Sequence, residues 1–217
     1  IVTGGSSGLG KAIFEALPDP KVNWDLRTGI DVSDYKAVAY AAPNKQVTTL
    51  VNCAGINHIL WLEDIQPTFF DRVMRVNAYA IYNTVHALLP QLKGGTVCNI
   101  ISSAATVPMR ASLAYNASKA AAAMMTRQMG RELYDRHRIT VFGVSPGIMA
   151  DTEMTHMVFE GVQRARGWTA EEAWQRQLVT HGKPIEPAVV AEFVVWLLAK
   201  KSRHVHLNGC IIPYGGA

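Results

Sequence analysis

Thr3-Gly4-Gly5-Ser6-Ser7-Gly8-Leu9-Gly10 follows the apolar stub Ile1-Val2 and leads into a run in which Leu9, Ile13, Ala16 and Leu17 keep helical spacing until Pro18 stops it. Glycines let a backbone turn sharply and approach a ligand closely. A helix start then offers unpaired N–H groups and the positive end of its dipole to a pyrophosphate. The spacing is TGxxxGxG, which departs from the GxGxxG dinucleotide fingerprint. The reading therefore rests on context: a glycine-rich turn between a first strand and a first helix.

Outward from this turn, β-rich runs alternate with amphipathic helical stretches, the pattern of an α/β protein with a doubly wound parallel sheet in three αβα layers. Strands are expected at Val22–Leu26, from near Val47 to Ala54, at Thr96–Ile101, at Ile139–Val144 and at Gly209–Ile212. Helices are expected from near Asp34 to Ala42 with Ser33 as cap, over Thr68–Leu92, over Leu113–Asp135 and over Val189–Ala199. Asp151–Lys183 interrupts the alternation and carries Trp168, Trp174 and a capping-box pair, Thr169 and Glu172. It reads as a helical insertion at about 151–183 within a single domain spanning 1–217.

The 217 residues are 49% hydrophobic and 18% charged, which excludes disorder and suits one core. No apolar stretch approaches the roughly 18–20 residues of a membrane span, and no secretion leader precedes the glycine-rich turn, so a cytoplasmic protein is expected. Cys53, Cys98 and Cys210 form no CxxC pair and read as reduced, buried or semi-buried thiols. The seven histidines show no metal-ligand spacing, and His204 and His206 read as solvated residues alternating on a strand, so no metal is expected. The net charge of +4 permits an anionic substrate or cofactor. Its one dense basic cluster, Lys200, Lys201 and Arg203, suits a helix C-terminus better than a nucleic-acid patch.

Tyr115-Asn116-Ala117-Ser118-Lys119 lies in a predicted helix, where residues four apart share a face. A free phenol, with a pKa near 10, is a poor acid–base group at neutral pH, and a nearby cation favours its phenolate.

Together these features resemble the compact, single-domain branch of the short-chain dehydrogenase/reductase family. The resemblance is carried by TGGSSGLG at 3–10, DVSD at 31–34, NCAG at 52–55, Asn77, ISS at 101–103, YNASK at 115–119 and SPG at 145–147, in the family's order and across nearly the whole chain. It implies a Rossmann-like sheet of seven strands, a nicotinamide cofactor, and hydride transfer to or from a carbonyl or alcohol carbon. It implies Tyr115 as acid–base group, Lys119 binding the nicotinamide ribose and depressing the Tyr115 pKa, and Ser103 hydrogen-bonding the substrate oxygen. Asn77 would sit at a helix bend and hold a water linking Lys119 to solvent. The cofactor would be held by Thr3, Gly4, Ser6, Ser7, Gly8, Leu9 and Gly10, by Asn52, Ala54 and Gly55, and by Pro146, Gly147 and Ile148. Asp31 and Val32 would meet the adenine, with a helix-start acid as the alternative for Asp31.

Several departures bear on these roles. Ser103 and Tyr115 are 12 residues apart, one fewer than the family pattern, which leaves Ser102 as a second candidate. Only 20 residues separate Gly10 from Asp31, too few for the usual second crossover helix. Thr152 comes one position late for the PGxxxT pattern. Asp25, at the end of the second strand, suits the adenosine ribose hydroxyls and would repel a 2′-phosphate, so NAD(H) is expected over NADP(H), with Arg27 as the competing feature. The substrate, a small carbonyl or alcohol compound, would meet Thr106–Ser112 and the insertion, where Met154, Met157, Phe159 and Trp168 are either a lid or helix packing. Rival readings are a 3-oxoacyl-carrier-protein reductase and a non-catalytic dinucleotide sensor. The two long helices carry surplus apolar positions, including Met124, Met125 and Met129, so a homo-oligomer, dimer or tetramer, is expected.

Overall fold

The structure is a computed structural model describing residues 1–199 and 205–215. Six strands form one parallel sheet in the order β2-β1-β3-β4-β5-β6: β1 (Val2–Thr3), β2 (Asn23–Trp24), β3 (Thr49–Asn52), β4 (Thr96–Ile100), β5 (Thr140–Pro146) and β6 (Ile211–Tyr214). The helices are α1 (Gly8–Ala16), α2 (Tyr35–Ala41), α3 (Pro67–Met74), α4 (Ala80–Ala87), α5 (Leu113–His137), α6 (Glu153–Arg166), α7 (Ala170–His181) and α8 (Pro187–Ala199).

Alternation along each central strand builds the three layers. Val51, Cys98, Phe142 and Val144 face a core filled by Leu9 and Ile13 of α1 and by Val190, Val194, Leu197 and Leu198 of α8. Their neighbours Leu50, Val97 and Val141 face the opposite core, filled by Val38 of α2, by Ala80 and Val85 of α4 and by Leu88 just beyond it. Strand register places Asn52 beside Asn99, and Thr3 beside Asn52, so the glycine-rich turn and the ends of β3 and β4 open on one edge of the sheet.

The described sheet has six strands where the resemblance implied seven. Between β2 and α2 the chain makes only a short 3-10 turn, Leu26–Thr28, closed by Gly29 at φ +85. That length leaves no room for a crossover helix and a further edge strand. The cap of α2 is Asp34, whose carboxylate accepts from Lys36 N at 2.9 Å, and not Ser33. The long helix expected over Thr68–Leu92 is broken by a π turn, Arg75–Tyr79. The insertion forms α6 and α7, and the Thr169–Glu172 capping box is present at the start of α7. Cys98 is buried and Cys53 half-buried, whereas Cys210 is exposed. His206 is exposed in a helical turn; Lys200, Lys201, Arg203 and His204 lie outside the described residues.

Candidate active site

The glycine-rich turn is built by close approach. Thr3 Oγ1 accepts from Cys53 N at 3.0 Å and Ala54 N at 3.1 Å, tying β1 to the end of β3. Gly4 has φ +68, and a Cβ there would lie 2.7 Å from Ala54 Cα; a Cβ on Gly10 would lie 2.1 Å from Gly4 O. Only glycine fits at either position. Ser7 is the N-cap of α1 yet makes no side-chain cap bond, so its hydroxyl does not occupy the N–H groups of Gly8, Leu9 and Gly10. Leu9 turns its side chain into the core. A pyrophosphate fits such a cradle of uncapped N–H groups and absent side chains. Asn23 on β2, which the sequence reading missed, holds the outer rim: Gly5 N donates to its Oδ1 at 2.9 Å and its Nδ2 donates to Ser6 Oγ at 3.0 Å.

The acids expected at the adenosine end are engaged locally. Asp25 caps the 3-10 turn, accepting from Arg27 N at 2.8 Å, with Thr28 completing a capping box. Asp31 Oδ1 accepts from Ser33 N at 2.9 Å and Ser33 Oγ at 2.7 Å, a local turn that ends just before Asp34, the cap of α2. Val32 is buried, and its carbonyl accepts from Asn83 Nδ2 at 3.1 Å.

Deeper in the cleft, α5 places Tyr115 and Lys119 one turn apart, with Lys119 Nζ 5.7 Å from the centroid of the Tyr115 ring. Lys119 is buried and donates to Ile100 O at 2.9 Å. Burial lowers its pKa to about 8. Burial also raises the Tyr115 pKa, opposed by hydrogen bonding from the Ser102 side chain. The serine at the phenol is Ser102, which also caps a 3-10 turn over Ser103–Ala105, whereas Ser103 is exposed. Gly55 joins the two halves of the cleft: a Cβ there would lie 3.4 Å from Asn77 Oδ1 and 3.9 Å from Lys119 Nζ.

Asn77 sits in the π turn, as the expected bend requires. Its Oδ1 accepts from Ile56 N and its Nδ2 donates to Ile56 O, both at 2.8 Å, and also to Ser118 Oγ at 3.0 Å. The amide thus clamps the strand-end loop to α5 instead of turning toward solvent. Asn52 is likewise inward: its Nδ2 donates to Asn99 Oδ1 and its Oδ1 accepts from Thr84 Oγ1, both at 2.9 Å. Asn99 Nδ2 donates onward to Thr126 Oγ1 at 2.9 Å. This buried chain locks α4, β3, β4 and α5 together. A polar residue inside the apolar run Thr96–Ile101 was the signal for Asn99.

After β5, Gly147 N donates to Tyr214 O at 3.1 Å, and Ile148 O accepts from Ile185 N at 2.8 Å. Pro146 is buried at the strand end. Thr152 caps α6 and packs 3.5 Å from where a Gly8 Cβ would stand. In the insertion, Phe159 packs on Trp174 with ring centroids 5.8 Å apart, and Trp168 lies under Arg176 at 4.6 Å, so both serve helix packing. Met157 is 41% exposed.

Among the described residues no helix is long and apolar enough to cross a membrane. The sequence profile of the short chain dehydrogenase family matches residues 21–163. The vibriobactin-specific 2,3-dihydro-2,3-dihydroxybenzoate dehydrogenase of Vibrio cholerae is 30% identical over 171 residues, 77% of this chain and 64% of that protein. The sorbitol-6-phosphate 2-dehydrogenase of Klebsiella pneumoniae is 25% identical across 94% of this chain and 90% of its own. A Xanthobacter autotrophicus relative, named an inactive 2-(S)-hydroxypropyl-CoM dehydrogenase, is 30% identical over 87% of this chain and 82% of its own. Among solved structures, an actinorhodin polyketide ketoreductase with NADPH superposes with a TM-score of 0.85 at 23% identity, covering 99% of this chain and 94% of that one. A Sinorhizobium meliloti dehydrogenase/reductase superposes at 0.77 with 29% identity, covering 98% and 91%. With the profile matched over most of its length and the parallel sheet in place, this chain belongs to the short-chain dehydrogenase family of oxidoreductases.

Proposed function

We propose that this protein transfers hydride between a nicotinamide dinucleotide and a carbonyl or alcohol carbon, with Tyr115 as the acid–base group. The observation that carries this reading is the convergence of Tyr115, Lys119 and Ser102 beside the cradle formed by Gly4, Gly8 and Gly10. When bound, the nicotinamide supplies the hydride. In the reducing direction the Tyr115 phenol donates its proton to the substrate oxygen as negative charge develops there, and the Ser102 hydroxyl hydrogen-bonds the same oxygen. The raised pKa of Tyr115 keeps the phenol protonated and ready to donate. Once the proton has left, the Lys119 ammonium stabilises the phenolate beside it. Asn77, through Ile56 and Ser118, holds the floor on which Lys119 lies.

NAD(H) is the preferred cofactor in this reading, because Asp25 places a carboxylate at the end of β2 where a 2′-phosphate would have to sit. The working assembly is a homo-oligomer, supported by exposed apolar side chains on neighbouring helices: Met124 is 61% exposed, Tyr82 48% and Leu113 47%. Light scattering at micromolar concentration tests it, and a monomer refutes it. A cytoplasmic location fits a substrate that is small and soluble.

The decisive experiment follows nicotinamide absorbance with purified protein against a panel of ketones, sugars, hydroxysteroids and acyl thioesters. Turnover with any of them establishes the reaction class, and acyl-thioester turnover alone selects the 3-oxoacyl reductase reading. The second reading, a non-catalytic sensor, is favoured by the Xanthobacter relative named inactive. It predicts nucleotide binding with no turnover across the whole panel.

A further inference from the structure

Arg27 and Glu153 are 126 positions apart in the chain, yet Arg27 Nη2 donates to both carboxylate oxygens of Glu153, at 3.1 and 3.2 Å. Arg27 Nη1 reaches back to Ser6 O at 3.4 Å, within the glycine-rich turn. The main chain of Arg27 is fixed by Asp25, which accepts its N–H. The guanidinium therefore spans from the end of β2, across the rim of the turn, to the first residue of α6. Glu153 is held there by its neighbour Thr152, which is buried, caps α6 and packs toward Gly8.

Given the dinucleotide reading above, on which this inference rests, the ribose of the adenosine half belongs at the end of β2. Arg27 is then the cation within reach of a phosphate on that ribose. We propose that Glu153 is a cofactor-specificity residue, one that discriminates against a 2′-phosphate by holding Arg27 away from it. A ligand with a free 2′-hydroxyl leaves the Arg27–Glu153 pair intact. A 2′-phosphorylated ligand must displace the Glu153 carboxylate from Arg27 before it can pair with the guanidinium. Both side chains are largely exposed, 59% and 68%, so the exchange is fast and the discrimination modest. Exposed pairs of this kind correspond to about two- to fivefold in affinity. Because the pair faces solvent, the effect weakens as salt rises.

The test is calorimetric binding of two adenosine fragments, 5′-AMP and adenosine 2′,5′-bisphosphate, to the wild type, Glu153→Gln and the double variant Arg27→Gln/Glu153→Gln, at low and high salt. The Gln substitution keeps the length of Glu153 and removes its charge. The expected result is that Glu153→Gln binds the bisphosphate about two- to fivefold tighter with 5′-AMP affinity unchanged. The gain shrinks at high salt and disappears in the double variant. An unchanged ratio of bisphosphate to 5′-AMP affinity in Glu153→Gln overturns the proposal and leaves the dinucleotide reading standing. A gain that survives in the double variant also overturns it, because Arg27 is then not the group released. Failure of the wild type to bind either fragment overturns the dinucleotide reading, and the proposal with it.

Discussion

Lys119 Nζ donates to the main-chain carbonyl of Ile100 at 2.9 Å, so the buried ammonium is anchored to the last residue of β4 and lies beside the Tyr115 ring, not on its hydroxyl. Holding a cation there costs stability, since desolvation lowers the Lys119 pKa from 10.5 to about 8. The folded chain therefore releases this proton before the unfolded chain does. The cost is present in full below about pH 8 and is relieved as pH rises toward 10.5. Lys119→Met removes the titration. Urea denaturation of the two proteins should accordingly show wild-type stability gaining on Lys119→Met by about 2 kcal/mol between pH 7.5 and 10. A difference independent of pH would mean that the lysine is not desolvated.

Ser102 and Ser103 separate cleanly by substitution. Ser102 lies at the phenol and caps the following turn, whereas Ser103 is exposed. Ser102→Ala should lower kcat by about a hundredfold, the usual scale for losing a donor to a developing oxyanion. Ser103→Ala should stay within about twofold, as surface substitutions usually do. Equal losses in the two variants would remove Ser102 from its proposed role.

Tyr115→Phe should abolish measurable turnover while nucleotide affinity, read by calorimetry, stays within a few-fold. The substitution keeps the packed ring and deletes the proton. In the wild type, the raised phenol pKa sets opposite pH trends for the two directions. Carbonyl reduction, which uses the neutral phenol, should hold across neutral pH, and alcohol oxidation, which uses the phenolate, should climb steadily into the alkaline range. Oxidation that is already maximal at pH 7 would contradict the neutral phenol.

Much of this site is legible in the chain because its chemistry is local. The glycine-rich turn and the Tyr115–Lys119 helix turn each declare themselves within a few residues, and alternation along Leu50-Val51, Val97-Cys98 and Val141-Phe142 announces a sheet covered on both faces. The serine is harder to read, because a one-residue shift at Ser102–Ser103 is decided by where a short 3-10 turn begins. The six strands read from the residues match the described sheet, whereas the seventh came only from the resemblance; the stretch from Leu26 to Ser33 lacks the length to cross the sheet and return. Asp25 and Asp31 satisfy their own neighbouring N–H groups, a use that residue type alone cannot separate from ligand binding. The Arg27–Glu153 pair joins segments 126 positions apart, and no local pattern encodes it.

Asn99 has no place in the proposed chemistry but holds the buried chain from Thr84 through Asn52 to Thr126. Asn99→Ala strands the Asn52 Nδ2 donor in the interior and takes from Thr126 Oγ1 its donor, leaving that hydroxyl only its own bond to Ala122 O. Thermal and urea unfolding should report a loss of about 2–4 kcal/mol, the scale for orphaning buried partners. Asn99→Asp tests the same point by charge, and should be worse at pH 8 than at pH 5, because a carboxylate there accepts from Asn52 but cannot donate to Thr126. A loss under about 0.5 kcal/mol, the range of ordinary surface changes, would show that the chain is not cooperative.

Gly10 is the most demanding position of the glycine-rich turn. A Cβ placed there would lie 2.1 Å from Gly4 O, which is main chain and cannot swing aside as a side chain would. Gly10→Ala must therefore push α1 away from the turn, or open the turn itself. Either movement disturbs the N–H groups at the start of α1 and the contact of Leu9 and Ile13 with Val2. The strain should reduce stability by about 1–3 kcal/mol, as overpacking does. It should weaken 5′-AMP binding by tenfold or more, because the cradle loses its shape. Gly29 is the control: it has φ +85 and nothing within 4 Å of its would-be Cβ, so Gly29→Ala carries only the local backbone cost of about 1 kcal/mol. Equal effects of the two substitutions on nucleotide affinity would mean that the turn is not the binding cradle.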